Sequence, residues 1–356
     1  MNVALKNRLF KGRYVLLGLL LLFVWLAQTV PGWGEFYARQ LYPGIALCLS
    51  SFSNLFPFAV GDLFIALSLA GLVVYPFIVR RAGHKTWRSI ALREAEYLAW
   101  LYVWFYAAWG LNYSQDGFYR RTGITPVAYT PEAFQAFTQN YVEKLNASYV
   151  APPAEVNRPL VCREAVRGYR RISSHLEVHR PLSDHPRVKT MLFTPLISMV
   201  GVTGSMGPFF CEFTVNGDVL PVDYPATYAH EMAHQLGITS EAEANFYAYQ
   251  VCIRSSEKSI RFSGYYSILS HVLNNAYRLM DKEEYQALLA SIRPEIIRLL
   301  QDKQAYWEAK YSPFIGRIQD WMYDLYLKGN KIPGGRKNYS EVIGLLISYE
   351  RRKMPV

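Results

Sequence analysis

Residues 230–234 read His-Glu-Met-Ala-His. On a helix, positions i and i+4 share a face, so the imidazoles of His230 and His234 can reach one metal ion. Glu231 lies between them and faces the same cleft from a slightly different angle. There it can hold a water that the metal polarises and remove its proton. Two imidazoles and one further ligand leave a tetrahedral zinc ion with its fourth position open for that water. The spacing predicts one Zn2+ per chain, with His230 and His234 as ligands and Glu231 as the catalytic base.

The third ligand must come from outside this motif. Residues 237–246 read Gly-Ile-Thr-Ser-Glu-Ala-Glu-Ala-Asn-Phe. Ser240 and Glu243 have the spacing of a capping box, which would commit Glu243 to the backbone of a new helix and leave Glu241 free in its first turn. Glu241 and Asn245 are again i and i+4, so Glu241 can bind the metal while Asn245 orients a ligand histidine. Glu243 stands as the alternative ligand, with Glu241 then a solvated charge. Both can also be helix-start acids that favour the dipole. Acyl chemistry further needs a donor for the tetrahedral oxyanion. Tyr265, Tyr266 and His271 follow the ligand helix and are the nearest candidates, although a tyrosine is ordinarily a packing residue.

These residues need rigid elements around them. Pro225 suits a first helical turn, Tyr228, Met232, Ala233 and Leu236 supply an apolar face, and Gly237 suits the left-handed position that ends a helix. Upstream, Thr130 and Pro131 open a helical pattern to about residue 145, residues 151–153 break it, and 163–176 form another. Residues 188–216 change character. Apolar runs punctuated by Gly201, Gly204 and Gly207 predict two or three strands. The strand over residues 207–216 is either an edge that an extended peptide can join or internal to the sheet. From residue 225 to 352 nearly everything reads as helix, with Leu288, Ile292, Ile296, Leu299 and Leu300 at core spacing. The predicted soluble part, residues 114–356, is therefore α+β, a small sheet followed by helices.

Residues 1–113 have a different character. Apolar runs cover about 14–33, 58–79 and 97–113, which predicts three transmembrane helices. Lys6, Arg8, Lys11 and Arg13 precede the first. Arg80, Arg81, Lys85, Arg88 and Arg93 lie between the second and third, whereas only Arg39 lies between the first and second. By the positive-inside rule the N-terminus is cytoplasmic and everything after about residue 113 is extracytoplasmic, in a multi-pass protein of the cell membrane. Residues 34–57 then lie outside, where they can form an interfacial amphipathic helix.

The net charge of +10 sits largely beside these apolar runs, so it does not point to nucleic acid. No glycine-rich phosphate loop is present. Cys48, Cys162, Cys211 and Cys252 form no C-x-x-C pair, which argues against a thiolate zinc site. Buried free thiols are expected, with one bridge among Cys162, Cys211 and Cys252 open if that part meets an oxidising compartment.

Taken with the paired histidines, the string Glu241-x-x-Ala244-Asn245 resembles the signature of membrane-bound gluzincins, zinc peptidases with a glutamate third ligand. That resemblance implies Glu241, not Glu243, as the ligand. Gly237 is placed as in metzincins, but Ser240 stands where their third histidine would be. The string Pro-Phe-Phe-Cys-Glu-Phe-Thr-Val-Asn over 208–216, the motif helix, Ser240–Phe246 and residues 323–330 together resemble a family of bacterial polytopic membrane proteins with a zincin-like domain. The resemblance implies a zincin-like fold and a membrane-anchored zinc-dependent peptidase with a peptide or protein substrate. The alternative is a non-catalytic membrane sensor or scaffold that binds peptide through such a domain.

Overall fold

The computed structural model describes residues 3–83, 86–329 and 339–353. Lys85 and Asn330, singled out above, lie outside them. The chain forms two compact units, one of residues 1–116 with 207–212 and the other of residues 117–206 with 213–356.

The first unit is helical. It contains α1 (Val3–Thr29), a short α2 (Trp33–Phe36) that runs through a π-helical turn (Tyr37–Leu41) into α3 (Tyr42–Ser53), then α4 (Val60–Arg81) and α5 (Trp87–Ala108). Thr86 caps α5 by accepting from the Ser89 amide. Large apolar side chains face outward here: Leu67 and Val73 on α4 are each 63% exposed. Such a surface is sensible only where the surroundings are apolar too.

Among the described residues, two helices, Gly12–Thr29 and Val60–Arg81, are long and apolar enough to cross a membrane. The expected third span is not among them. Its helix carries Arg88, Arg93, Glu94 and Glu96, and the charge-free remainder, residues 97–108, ends where the chain tightens into a 3-10 turn (Gly110–Ser114). At 1.5 Å per residue that remainder alone is shorter than a hydrocarbon core about 30 Å thick, and only the whole of α5, charged turns included, has the length to cross one.

The loop 207–212 belongs to this unit. The Phe209 and Phe210 rings lie 5.1 and 5.5 Å from Phe64. The Trp104 indole donates to the Phe209 carbonyl (3.0 Å), and the Glu212 carboxylate accepts from the Gly61 amide. All four cysteines are free thiols, with Cys211 and Cys252 buried.

The second unit begins with α6 (Phe118–Thr122), α7 (Pro131–Ser148) and α8 (Arg158–Ile172). Thr130 and Asn157 cap the latter two through their side chains. A small sheet follows, of β1 (Lys189–Thr190), β2 (Gly204–Gly207) and β3 (Glu212–Val215), with α9 (Thr194–Ser198) between the first two. Residues 194–198 thus form a helical turn, with Pro195 in its first positions, where a strand was expected. The strand order is β1-β3-β2, with β1 parallel to β3. Of the strand read over 207–216, Glu212–Val215 form β3, which is internal, while Gly207 ends β2 and the residues between make a turn. The sheet has two edges, β1 and β2, and β2 is tied to the β3 side by the Asn216 amide on the Thr203 carbonyl (2.9 Å).

The rest is helical: α10 (Tyr224–Gln235), α11 (Glu241–Cys252), α12 (Lys258–Ser267), α13 (Leu269–Leu279), α14 (Lys282–Ser291), α15 (Pro294–Glu308), α16 (Pro313–Gly329) and α17 (Tyr339–Lys353). The fold is α+β, as the patterning predicted. Its core centres on α10 and α11, where Tyr228, Met232, Phe246 and Tyr247 are fully buried. Removing such large side chains from water supplies the drive that fixes these two helices, roughly 2–3 kcal/mol for each fully buried one.

Candidate metal centre

The site is built from one helix end and the next helix start. Pro225 sits in the first turn of α10. The helix stops at Gly237, whose φ of 92° is left-handed and costs a glycine little. Two hydrogen bonds close this end, Gly237 N to His234 O (3.0 Å) and Ile238 N to Ala233 O (3.1 Å), the paired pattern of a Schellman motif. The motif turns the Ile238 carbonyl back onto the helix, where it accepts from His234 Nδ1 at 2.6 Å. Ser240 then caps α11 through the Glu243 amide (3.3 Å) and starts it with Glu241.

Each imidazole thereby has its Nδ1 committed. His234 uses the Ile238 carbonyl, and His230 Nδ1 donates to Asn245 Oδ1 at 2.9 Å. Both Nε2 atoms are left facing one point, 3.1 Å apart. The Glu241 carboxylate completes the group, with oxygens 3.2 Å from His230 Nε2 and 3.7 Å from His234 Nε2. The ligand atoms of these three side chains all lie within 4.8 Å of one another. Zinc–nitrogen bonds of about 2.0–2.1 Å at a tetrahedral angle put two nitrogens about 3.3 Å apart, close to the observed spacing. The donor set and the locked tautomers fit a zinc ion with an open fourth position.

The electrostatics of the metal-free site follow from the same contacts. Burial pushes His234 down, but the charge of Glu241 and its hydrogen bond more than offset this and lift the imidazole to about 9. Desolvation raises Glu241, while His234 and His230 lower it. With 60% of its side chain exposed, the imidazoles win and hold the carboxylate well below its ordinary range. Glu231 is buried. Desolvation pushes its carboxyl up and the two imidazoles only partly counter it, the direction a general base at neutral pH requires.

Glu243 turns to the other side of α11. Its carboxylate accepts from the Phe118 amide (3.1 Å) and pairs with the Arg121 guanidinium. The reciprocal half of the expected capping box is therefore absent: long-range partners on α6 outcompete the local backbone for this carboxylate. Of the oxyanion candidates, Tyr265 packs its ring against Tyr249 (5.6 Å) and Tyr266 lies against Phe262 (5.7 Å). His271, on α13, is electrostatically linked to His230. Burial, with the charges of His230 and Lys303, pushes it down to about 4, so it is a neutral imidazole at pH 7.

Two contributors were invisible in the sequence. The Ile238 carbonyl carries no side-chain signal, though the Gly237 stop predicts a turn there. Gly204 of β2 backs directly onto Glu231, and a Cβ at this position would overlap the Glu231 carboxylate. Its glycine was legible only as strand punctuation.

Residues 37–347 match the model of the family DUF3810, described as protein of unknown function, and the chain belongs to that family. No curated protein and no solved structure matches it.

Proposed function

We propose that this member of DUF3810 is a membrane-anchored, zinc-dependent peptidase of gluzincin type. The observation that carries the reading is the convergence of His230, His234 and Glu241 within 4.8 Å, with buried Glu231 on the same helix. A zinc ion bound there would supply Lewis-acid polarisation of water and of a scissile carbonyl. Glu231 then removes the proton from the attacking water and returns one to the leaving amine. Asn245 and the Ile238 carbonyl keep both Nε2 atoms aimed at the point where the ion would sit. His271 donates to the oxyanion. The β2 edge, whose Gly204 abuts Glu231, offers main-chain groups along which an extended peptide can lie.

The anchor in this reading has three crossings, with α5 as the third. Supporting this, Arg13 pairs with Glu96 at one end of α1 (2.9 Å), while beyond its other end the Tyr37 hydroxyl donates to the Ala107 carbonyl (3.0 Å). The start of the apolar part of α1 thus meets the middle of α5, the turn after α2 meets the end of α5, and Arg13 neutralises the glutamate that shortens the apolar stretch of α5. With Arg80 and Arg81 in the last turn of α4 and Arg88 and Arg93 in the first half of α5, the positive-inside rule favours residue 117 onward outside the cytoplasm.

The test is hydrolysis of an unstructured protein substrate by the purified full-length chain. The expected result is cleavage abolished by chelation and restored by zinc. Cleavage that persists after complete metal removal sinks the reading. One bound zinc without turnover on any substrate would favour the peptide-binding sensor.

A further inference from the structure

The second unit has a large outward-facing apolar surface built from two segments. On α16, Phe314, Ile318 and Trp321 follow i, i+4, i+7 and form one stripe, with Phe314 and Trp321 each 66% exposed. Around α9, Leu192, Phe193 and Leu196 are also exposed. The segments touch, because the Ser312 amide donates to the Met199 carbonyl at 2.9 Å. A polar clamp fixes the junction: Asp218 accepts from the Ser198 hydroxyl (2.7 Å) and pairs with Lys310 (3.0 Å). The apolar side chains are therefore presented by a held scaffold.

We infer that this surface docks into the lipid bilayer that the chain's own helices cross. Water-soluble surfaces rarely carry contiguous apolar patches of this kind. Phe314, Ile318 and Trp321 share α16 with exposed Arg317 and half-buried Asp320, and an aromatic-rich apolar stripe beside a cationic side chain suits a segment seated at a headgroup boundary. The bilayer is also within reach. Gly207, the start of the loop that belongs to the first unit, lies eight positions after Met199, so the covalent chain spans at most about 29 Å between them. The inference does not depend on the peptidase reading.

The test uses the full chain in phosphatidylcholine–phosphatidylglycerol nanodiscs, with Cys48→Ser and Cys162→Ser removing the accessible thiols. Single nitroxide labels go on Phe314→Cys, Leu196→Cys and, as the control, Gln286→Cys on exposed α14. Collision with oxygen reports lipid and collision with a nickel chelate reports water. Oxygen-to-nickel accessibility several-fold higher at 314 and 196 than at 286 is expected. Equal ratios at all three sites overturn the inference. So do labels at 314 and 196 shielded from both probes with spin–spin broadening, which would assign the patch to a second copy of the chain. Circular dichroism matching the unlabelled protein confirms that each variant is folded.

Discussion

The two faces of the first turn of α11 carry one glutamate each, and they behave oppositely. Glu241 is 60% exposed and lies against two imidazoles, whereas Glu243 is buried against Arg121, with side-chain exposures of 11% and 4%. One residue separates them. A helix rotates about 100° per residue, so a two-residue step moves a side chain to another face. Residue type alone therefore does not decide which acid is a ligand. What decides it is which partner each face meets: a pair of histidines on one side, a guanidinium and a backbone amide on the other.

The largest expected effect lies on the metal face. Glu231→Gln should lower turnover by about 10²–10⁴-fold, the usual contribution of a positioned base, with zinc content unchanged. A steady-state rate equal to wild type would remove Glu231 from the chemistry. Gly204→Ala probes the same carboxylate from behind. The added methyl should displace it and reduce kcat by about 100-fold, again with zinc retained. A fully active Gly204→Ala would mean that the β2 backbone does not set the position of the base.

Asn245→Ala removes the group that orients His230. Zinc affinity should fall by about 10–100-fold, measured by competition with a chromophoric chelator. On the packing face, Glu243→Ala should cost about 3–5 kcal/mol of stability by leaving Arg121 buried without its carboxylate. The check is a denaturation midpoint of the full chain, and zinc binding by the folded fraction should be unaffected. If zinc affinity falls while stability holds, the two faces have been assigned the wrong way round.

A graded effect, tenfold at each step, concerns pH. Without metal, His234 titrates at about 9. Zinc needs the neutral imidazole, so below that pH binding must release a proton. Apparent affinity should then fall by about tenfold for each unit of decrease, from about 9 towards 7. An affinity flat over that range would show that His234 is already neutral before the metal arrives.

Much of this site was legible in the sequence because it is local. His230 with His234, and Glu241 with Asn245, are i and i+4 pairs, and Gly237 marks the stop between their helices. The capping argument pointed to Glu241, but for a partly different reason. Ser240 does accept from the Glu243 amide, whereas the Glu243 side chain is held by Arg121, more than a hundred residues earlier, which no local pattern reveals. Tertiary order decided the remaining differences as well. That β3 is internal depends on β1 and β2 flanking it, and the approach of Gly204 to Glu231 depends on the sheet meeting α10. The third apolar run is not among the helices apolar enough to cross a membrane, because the helix that forms it also takes in Arg88, Arg93, Glu94 and Glu96.

The most direct test of the central claim is the zinc content of the purified full-length chain, measured by mass spectrometry for wild type, Glu241→Ala and Glu243→Ala. The account predicts about one zinc per chain in wild type and Glu243→Ala, and loss in Glu241→Ala. Zinc retained in Glu241→Ala and lost in a folded Glu243→Ala, or no zinc in folded wild type after supplementation, would contradict it.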